Sequence, residues 1–162
     1  MDFSRLHRAE ALGVVGALLI LVALFLFNWY ELGVTQLREE GEEDAFICGV
    51  GEYTCTGFDT FPILRWLLIA GCSAPLILAW IIARGHKLSW PPGEVTMIVG
   101  FTATILVAYN GIIDKPGTGF GEALVSLKGG YWLALLGAVG IAGAGLWRAS
   151  VSAAAGPVAP GA

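Results

Sequence analysis

Four long apolar runs, residues 11–28, 61–83, 93–113 and 131–147, take up most of this chain and constrain its fold more than any other feature. A helix needs about 20 residues, at 1.5 Å rise each, to cross roughly 30 Å of hydrocarbon, and each run is near that length. The expected fold is an all-α membrane protein, with four transmembrane helices in an up-down bundle. Only 14% of the 162 residues are charged, where soluble domains average about 25%. Glycine is abundant at 23 residues, a burden for helices in water but a device for close helix packing in lipid. There is no basic stripe of the kind that binds nucleic acid, so the partner that composition points to is the lipid bilayer.

Arg5 and Arg8 precede the first run, as in a signal peptide. The run is longer than the usual core of ~7–15 residues, and it ends in bulky Phe25, Leu26, Phe27, Asn28, Trp29 and Tyr30 instead of small residues. It reads as a retained helix. Basic residues then set the orientation. Arg5, Arg8, Arg84, Lys87 and Arg148 fall on one side of a four-span layout. Glu31, Glu39, Glu40, Glu42, Glu43, Asp44, Glu52 and Asp59 fall on the other, in the 29–60 loop, where Arg38 is the single basic residue. Both termini are therefore expected in the cytoplasm, in a multi-pass protein of the cell membrane, with the acidic loop outside. The 114–130 loop is nearly balanced in charge and supports this less. Trp29, Tyr30, Trp66, Tyr109, Tyr131 and Trp132 at outer ends, and Trp80, Trp90 and Trp147 at inner ends, suit the headgroup zone. Pro62 and the pair Pro91 and Pro92 fit first turns, whereas Pro75 should kink the second helix.

The 29–60 loop carries Cys48 and Cys55, separated by six residues that include Gly49 and Gly51. In an oxidising exterior this spacing predicts a disulfide, worth about 2–3 kcal/mol by chain entropy, closing a small hairpin with strands near 45–48 and 53–56. It is too wide for a C-x-x-C redox pair, and no histidine lies close enough to complete a metal site. The acidic run at 39–44 lacks EF-hand spacing and reads as a solvated loop. Cys72 reads as a small core residue. No metal and no cofactor are expected.

Charge within the spans is sparse. Arg65, near the outer end of the second helix, can snorkel outward or pair with Asp59. Glu94 opens the third helix, where a carboxylate suits the positive helix end. Thr96, Thr102, Thr104 and Ser73 can bond their own helix or a neighbour. Asn28 and Asn110 sit near outer ends and can meet. In the fourth helix Gly137, Gly140 and Gly143, followed by Gly145, leave one smooth face for packing inside the bundle or against another membrane protein, including a second copy. Gly13, Gly16 and Ala17 do the same in the first helix. The domain boundary is drawn after residue 148, giving a 1–148 membrane domain and an uncharged, disordered 149–162 tail.

The segments F-N-W-Y (27–30), T-G-F-D-T-F (56–61), Y-N-G-I-I-D-K-P-G (109–117), G-G-Y-W-L-A-L-L-G (129–137) and G-L-W-R (145–148) together resemble a group of small four-helix membrane proteins of actinobacteria. The resemblance implies the four-span fold and brings no activity. Phe58 stands where that pattern has Trp, and the cysteine pair and acidic run are additions to it. The layout is also similar, more distantly, to claudins, through Trp29, Gly49, Cys48 and Cys55, although Cys48 precedes Gly49 and breaks the claudin order.

No catalytic constellation accompanies these features, and the chain does not read as an enzyme. It reads as a structural or interaction component of the bacterial cell envelope. The alternative is a small transporter or channel subunit, which would need polar groups aligned at mid-depth, where the sequence supplies hydroxyls. A thiol oxidoreductase comes third, because of the cysteine spacing.

Overall fold

A computed structural model describes residues 7–33, 53–86, 91–116 and 125–154. Four helices are long and apolar enough to cross a membrane. They are α1 (Arg8–Leu26), α2 (Leu64–Ala83), α3 (Pro92–Ala108), whose membrane-length span Gly93–Ile113 runs on through the turn that follows it, and α4 (Gly129–Ala154). Each starts and stops for a local reason. The His7 side chain accepts from the Ala9 N–H while Glu10 reaches back to the His7 N–H, a capping box that satisfies donors at the start of α1. Trp29 donates its indole N–H to the Ala23 carbonyl at 2.9 Å, covering the last turn of that helix. α2 ends at Gly85, whose φ of 77° is the left-handed turn that closes many helices. Pro92 sits in the first turn of α3, where its missing N–H costs nothing. Beyond Ala108 the backbone widens into a π turn, Tyr109–Ile113, closed by Asp114 N–H to Tyr109 O at 2.9 Å.

The helices run up and down, as expected. α4 is the central member, with α1 and α3 packed along it in antiparallel fashion. Lipid tails are as apolar as leucine, so burial alone does not hold helices together in a membrane, and close backbone packing must. Small residues provide it. A Cβ on Gly16 would lie 2.6 Å from the Gly137 carbonyl, and one on Gly137 would lie 2.7 Å from the Gly16 carbonyl. Across α3 and α4, a Cβ on Gly100 would run into the backbone of Ala142, and one on Gly145 into the backbone of Met97. The outward faces carry Leu18, Phe25, Ile77, Ile98, Ile105, Leu136 and Val139, all exposed on the protein and suited to acyl chains.

The bundle is not purely helical, which corrects the all-α expectation. Three short strands, β1 (Asn28–Leu32), β2 (Thr54–Thr56) and β3 (Val125–Leu127), form an antiparallel sheet in the order β2-β1-β3. Tyr30 faces Cys55 on one side and Leu127 on the other. The register slips between Asn28 and Tyr30, so Trp29 is the extra residue of a bulge. A regular strand would send Trp29 and Tyr30 to opposite faces; the bulge lets both turn inward, and both are fully buried. They are core residues together with Tyr131, not members of an interfacial belt as the sequence suggested. Trp66, Tyr109, Trp132, Trp80 and Trp147 do lie exposed.

Two further expectations change. The helical turn Gly57–Thr60 follows β2 directly, and the strand expected near 53–56 pairs with β1. Its expected partner at 45–48 lies outside the described residues, as does Cys48. Cys55 is buried in β2, and its expected bridge to Cys48 lies outside the described residues; Cys72 is a free buried thiol. The helix drawn to end at residue 148 continues to Ala154, because Ala149 to Ala154 contains no helix breaker. Residues 155–162 lie outside the described part.

Candidate functional site

The most polar interior feature lies at the end of the bundle opposite the sheet. It grows from the first turn of α1. Glu10 Oε2 accepts the His7 backbone N–H at 2.7 Å, which turns the carboxyl inward. Its other oxygen, Oε1, lies 3.3 Å from Arg148 Nε on α4. The Glu10 side chain is 5% exposed and that of Arg148 30%, so the acid is the group removed from water. Neither Oε1 nor Nε makes a well-directed hydrogen bond, and the pair is held by charge. His7 packs edge-on to Trp147, with ring centroids 5.8 Å apart. Gly13, Pro75, Thr96 and Ala144 complete a cavity of about 10 Å³ beside the pair, which is no larger than a single water requires. Pro75 therefore sits where α2 faces this cluster, and among the described residues the cluster joins all four helices.

A second polar group lies at the sheet end. Tyr30 donates its hydroxyl to the Asn110 carbonyl, exposed by the π turn, at 3.0 Å. The Tyr131 ring occupies the space that a side chain at Gly111 would need. Burial, with smaller contributions from Tyr131 and Asp114, raises the Tyr30 pKa above the ordinary tyrosine value. The unfolded chain therefore ionises first, and stability from Tyr30 is full below pH ~10 and lost as pH rises above that value. The expected result is a midpoint of unfolding that falls faster above pH ~10 in the wild type than in Tyr30→Phe. Parallel alkaline melting curves in detergent would show that Tyr30 is not the group responsible.

The residues singled out in the sequence fall in separate places. Arg65 does not pair with Asp59. Its Nη1 donates to the Phe58 carbonyl at 3.2 Å, and its guanidinium lies 4.6 Å from the centre of the Phe58 ring. The Asp59 carboxylate instead accepts from the Thr56 hydroxyl at 2.6 Å, and the Thr56 oxygen accepts the Asp59 backbone N–H, which caps the Gly57–Thr60 turn. Glu94 is an exposed first-turn carboxylate of α3. Gly137 is in a tight helix contact, Gly140 makes an ordinary one with Gly16, and Gly143 has open space where a side chain would go. The smooth face thus divides, one part inside the bundle and one part outside. Asn110 bonds the Leu106 carbonyl, at 2.8 Å, and not Asn28. Glu10 was missed because it sits just before the first apolar run and reads as an ordinary first-turn acid. The signal available was its three-residue offset from His7, the spacing of a capping box, which ties its carboxylate to the helix start.

Comparison with protein-family models, with curated proteins and with solved structures finds no match for this chain.

Proposed function

We propose that this protein is an integral membrane component of the bacterial cell envelope that presents an extracellular loop to another protein. One observation carries this reading: the loop is clamped at its base. β1 and β2 run side by side, with Leu32 N–H bonded to Tyr53 O at 2.8 Å, so residues 34–52 leave and rejoin the sheet at one point. β1 is held in turn by β3, with Glu31 and Lys128 paired across them. A clamped base lowers the entropy lost when a loop binds. The segment so displayed contains the acidic run at 39–44, which suits a basic partner surface.

The topology that goes with this reading places both termini in the cytoplasm, following the basic residues at Arg84 and Arg148. A Cys48–Cys55 bridge would tighten the same loop. The chain's resemblance to small actinobacterial four-helix proteins supports the envelope setting and adds no activity. A photo-crosslinking residue placed at position 42 in intact cells tests the proposal. One discrete protein adduct is expected, lost when residues 39–44 are replaced by serine and glycine while membrane levels of the protein hold. Adducts that persist unchanged after that replacement, or none at all, would remove the interaction reading. A protease applied to the same cells should cut near Glu42 and spare the turn at Arg84; the reverse pattern would invert the topology.

A further inference from the structure

The Glu10–Arg148 pair is matched in charge but incomplete in hydrogen bonds. Glu10 Oε1 and Arg148 Nε are buried atoms with no hydrogen-bond partner among the described residues, although they stand 3.3 Å apart. At that separation it is the direction that fails, because Nε–H is not aimed at Oε1. A buried ion pair offsets its desolvation only when further hydrogen bonds fill its remaining lone pairs and protons. Each group left unfilled carries its own desolvation cost. Both residues line one cavity of about 10 Å³, together with Gly13, Pro75, Thr96 and Ala144. That is about the volume of one water-sized probe sphere, and the cavities that stay dry in proteins are apolar. This wall instead holds an acceptor, a donor and, in Thr96, a hydroxyl that can serve as either.

Size and charge together select the occupant. A cation in the cavity would face the Arg148 guanidinium, and an anion would face the Glu10 carboxylate, each at close range. A neutral molecule that accepts from Nε–H and donates to Oε1 suits both, and water has the size and the two functions. Solvent reaches this place along Arg148, whose side chain is 30% exposed, while that of Glu10 is 5% exposed. We propose that the Glu10–Arg148 cluster binds one ordered water, which accepts from Arg148 Nε–H and donates to Glu10 Oε1. The α1–α4 contact at this end of the bundle is then a water-bridged ion pair. Thr96 brings α3 to the same site, whereas α2 meets it with the apolar side chains of Pro75 and Leu78. The site owes nothing to the outer loop or its partner.

Gly13→Ala separates a hydrated cavity from a dry one by the sign of its effect. The added Cβ would lie 3.6 Å from Ala144 Cβ, 3.6 Å from Pro75 Cβ and 3.8 Å from Thr96 Cγ2, ordinary contacts with three residues of the cavity wall. The methyl group therefore enters without moving backbone and takes the place of the water. In a dry cavity the substitution would stabilise, because alanine fills space and replaces a helical glycine. With the water bound it strands Oε1 and Nε, so the unfolding midpoint of the full chain in denaturing detergent should fall below that of the wild type. In the double variant Glu10→Met with Arg148→Met, which has no polar pair to serve, the same Gly13→Ala should raise the midpoint. A nitrogen-edited ROESY spectrum gives a direct reading that holds even if the double variant fails to fold. Arg148 Nε–H in the wild type should show a dipolar cross-peak to water, opposite in sign to chemical exchange, and Gly13→Ala should abolish it. A higher midpoint for Gly13→Ala in the wild type, an equal fall in the double variant, or no dipolar cross-peak in the wild type would overturn the proposal.

Discussion

Gly145→Leu should abolish the folded bundle, whereas Gly143→Leu, two residues away on the same helix, should leave it intact. A Cβ at position 145 would overlap the backbone of Met97, which cannot turn aside as a side-chain tip could; at position 143 it meets nothing within 4 Å. Overpacking a core against movable side chains costs about 1–3 kcal/mol. Against backbone the cost should pass the upper end of that range, because α3 and α4 must separate along their length. Gly100→Leu should behave like Gly145→Leu, since it meets the Ala142 backbone in the same seam. Titration of reconstituted protein with denaturing detergent, followed by far-UV circular dichroism, measures this. Equal midpoints for the 143 and 145 variants would mean that the α3–α4 seam is not as close as described.

The contrast also shows how far the sequence could be read. The run Gly137, Gly140, Gly143 is the more conspicuous pattern, yet the buried stripe of α4 is Gly130, Tyr131, Ala134, Gly137, Ala138, Ile141, Ala142, Ala144 and Gly145. That stripe follows spacings of three and four, as a helix face must. It was legible in principle, but in a helix rich in small residues several faces satisfy the same rule. The spans themselves were legible because length and apolarity decide them. The sheet was not. β1 follows α1 after one residue, its bulge erases the alternation that marks a strand, and its partners come from segments far along the chain. Trp29, Tyr30 and Tyr131 were placed at the lipid interface for the same reason: an aromatic residue at a helix end reads as interfacial unless the sheet that covers it is known.

Glu10→Ala should destabilise the protein by about 3 kcal/mol, the lower end of the cost of breaking a buried ion pair, because Arg148 keeps some contact with solvent. The loss has two parts. Arg148 is left without its counter-charge, and the His7 N–H loses the acceptor that completes the cap, a smaller term of roughly 1 kcal/mol. Glu10→Gln keeps an acceptor for that N–H and should lose only the first part. Combining Glu10→Gln with Arg148→Met, which removes the orphaned charge, should recover stability relative to Glu10→Gln alone. The same detergent titration reads the cycle. If the two substitutions simply add, the groups do not interact, and the cluster at that end of the bundle is held by packing alone.

The three-stranded sheet has a mechanical consequence. β2 leads through a single helical turn into α2, so the start of that helix is fixed to strands that also bind the end of α1 and the beginning of α4. Its other end finishes at a glycine turn with no such tether among the described residues. Any tilt of α2 must therefore pivot near Leu64, with displacement growing along the lever toward Arg84. Such a swing would widen the molecule on the Arg148 side while the loop-bearing side kept its shape.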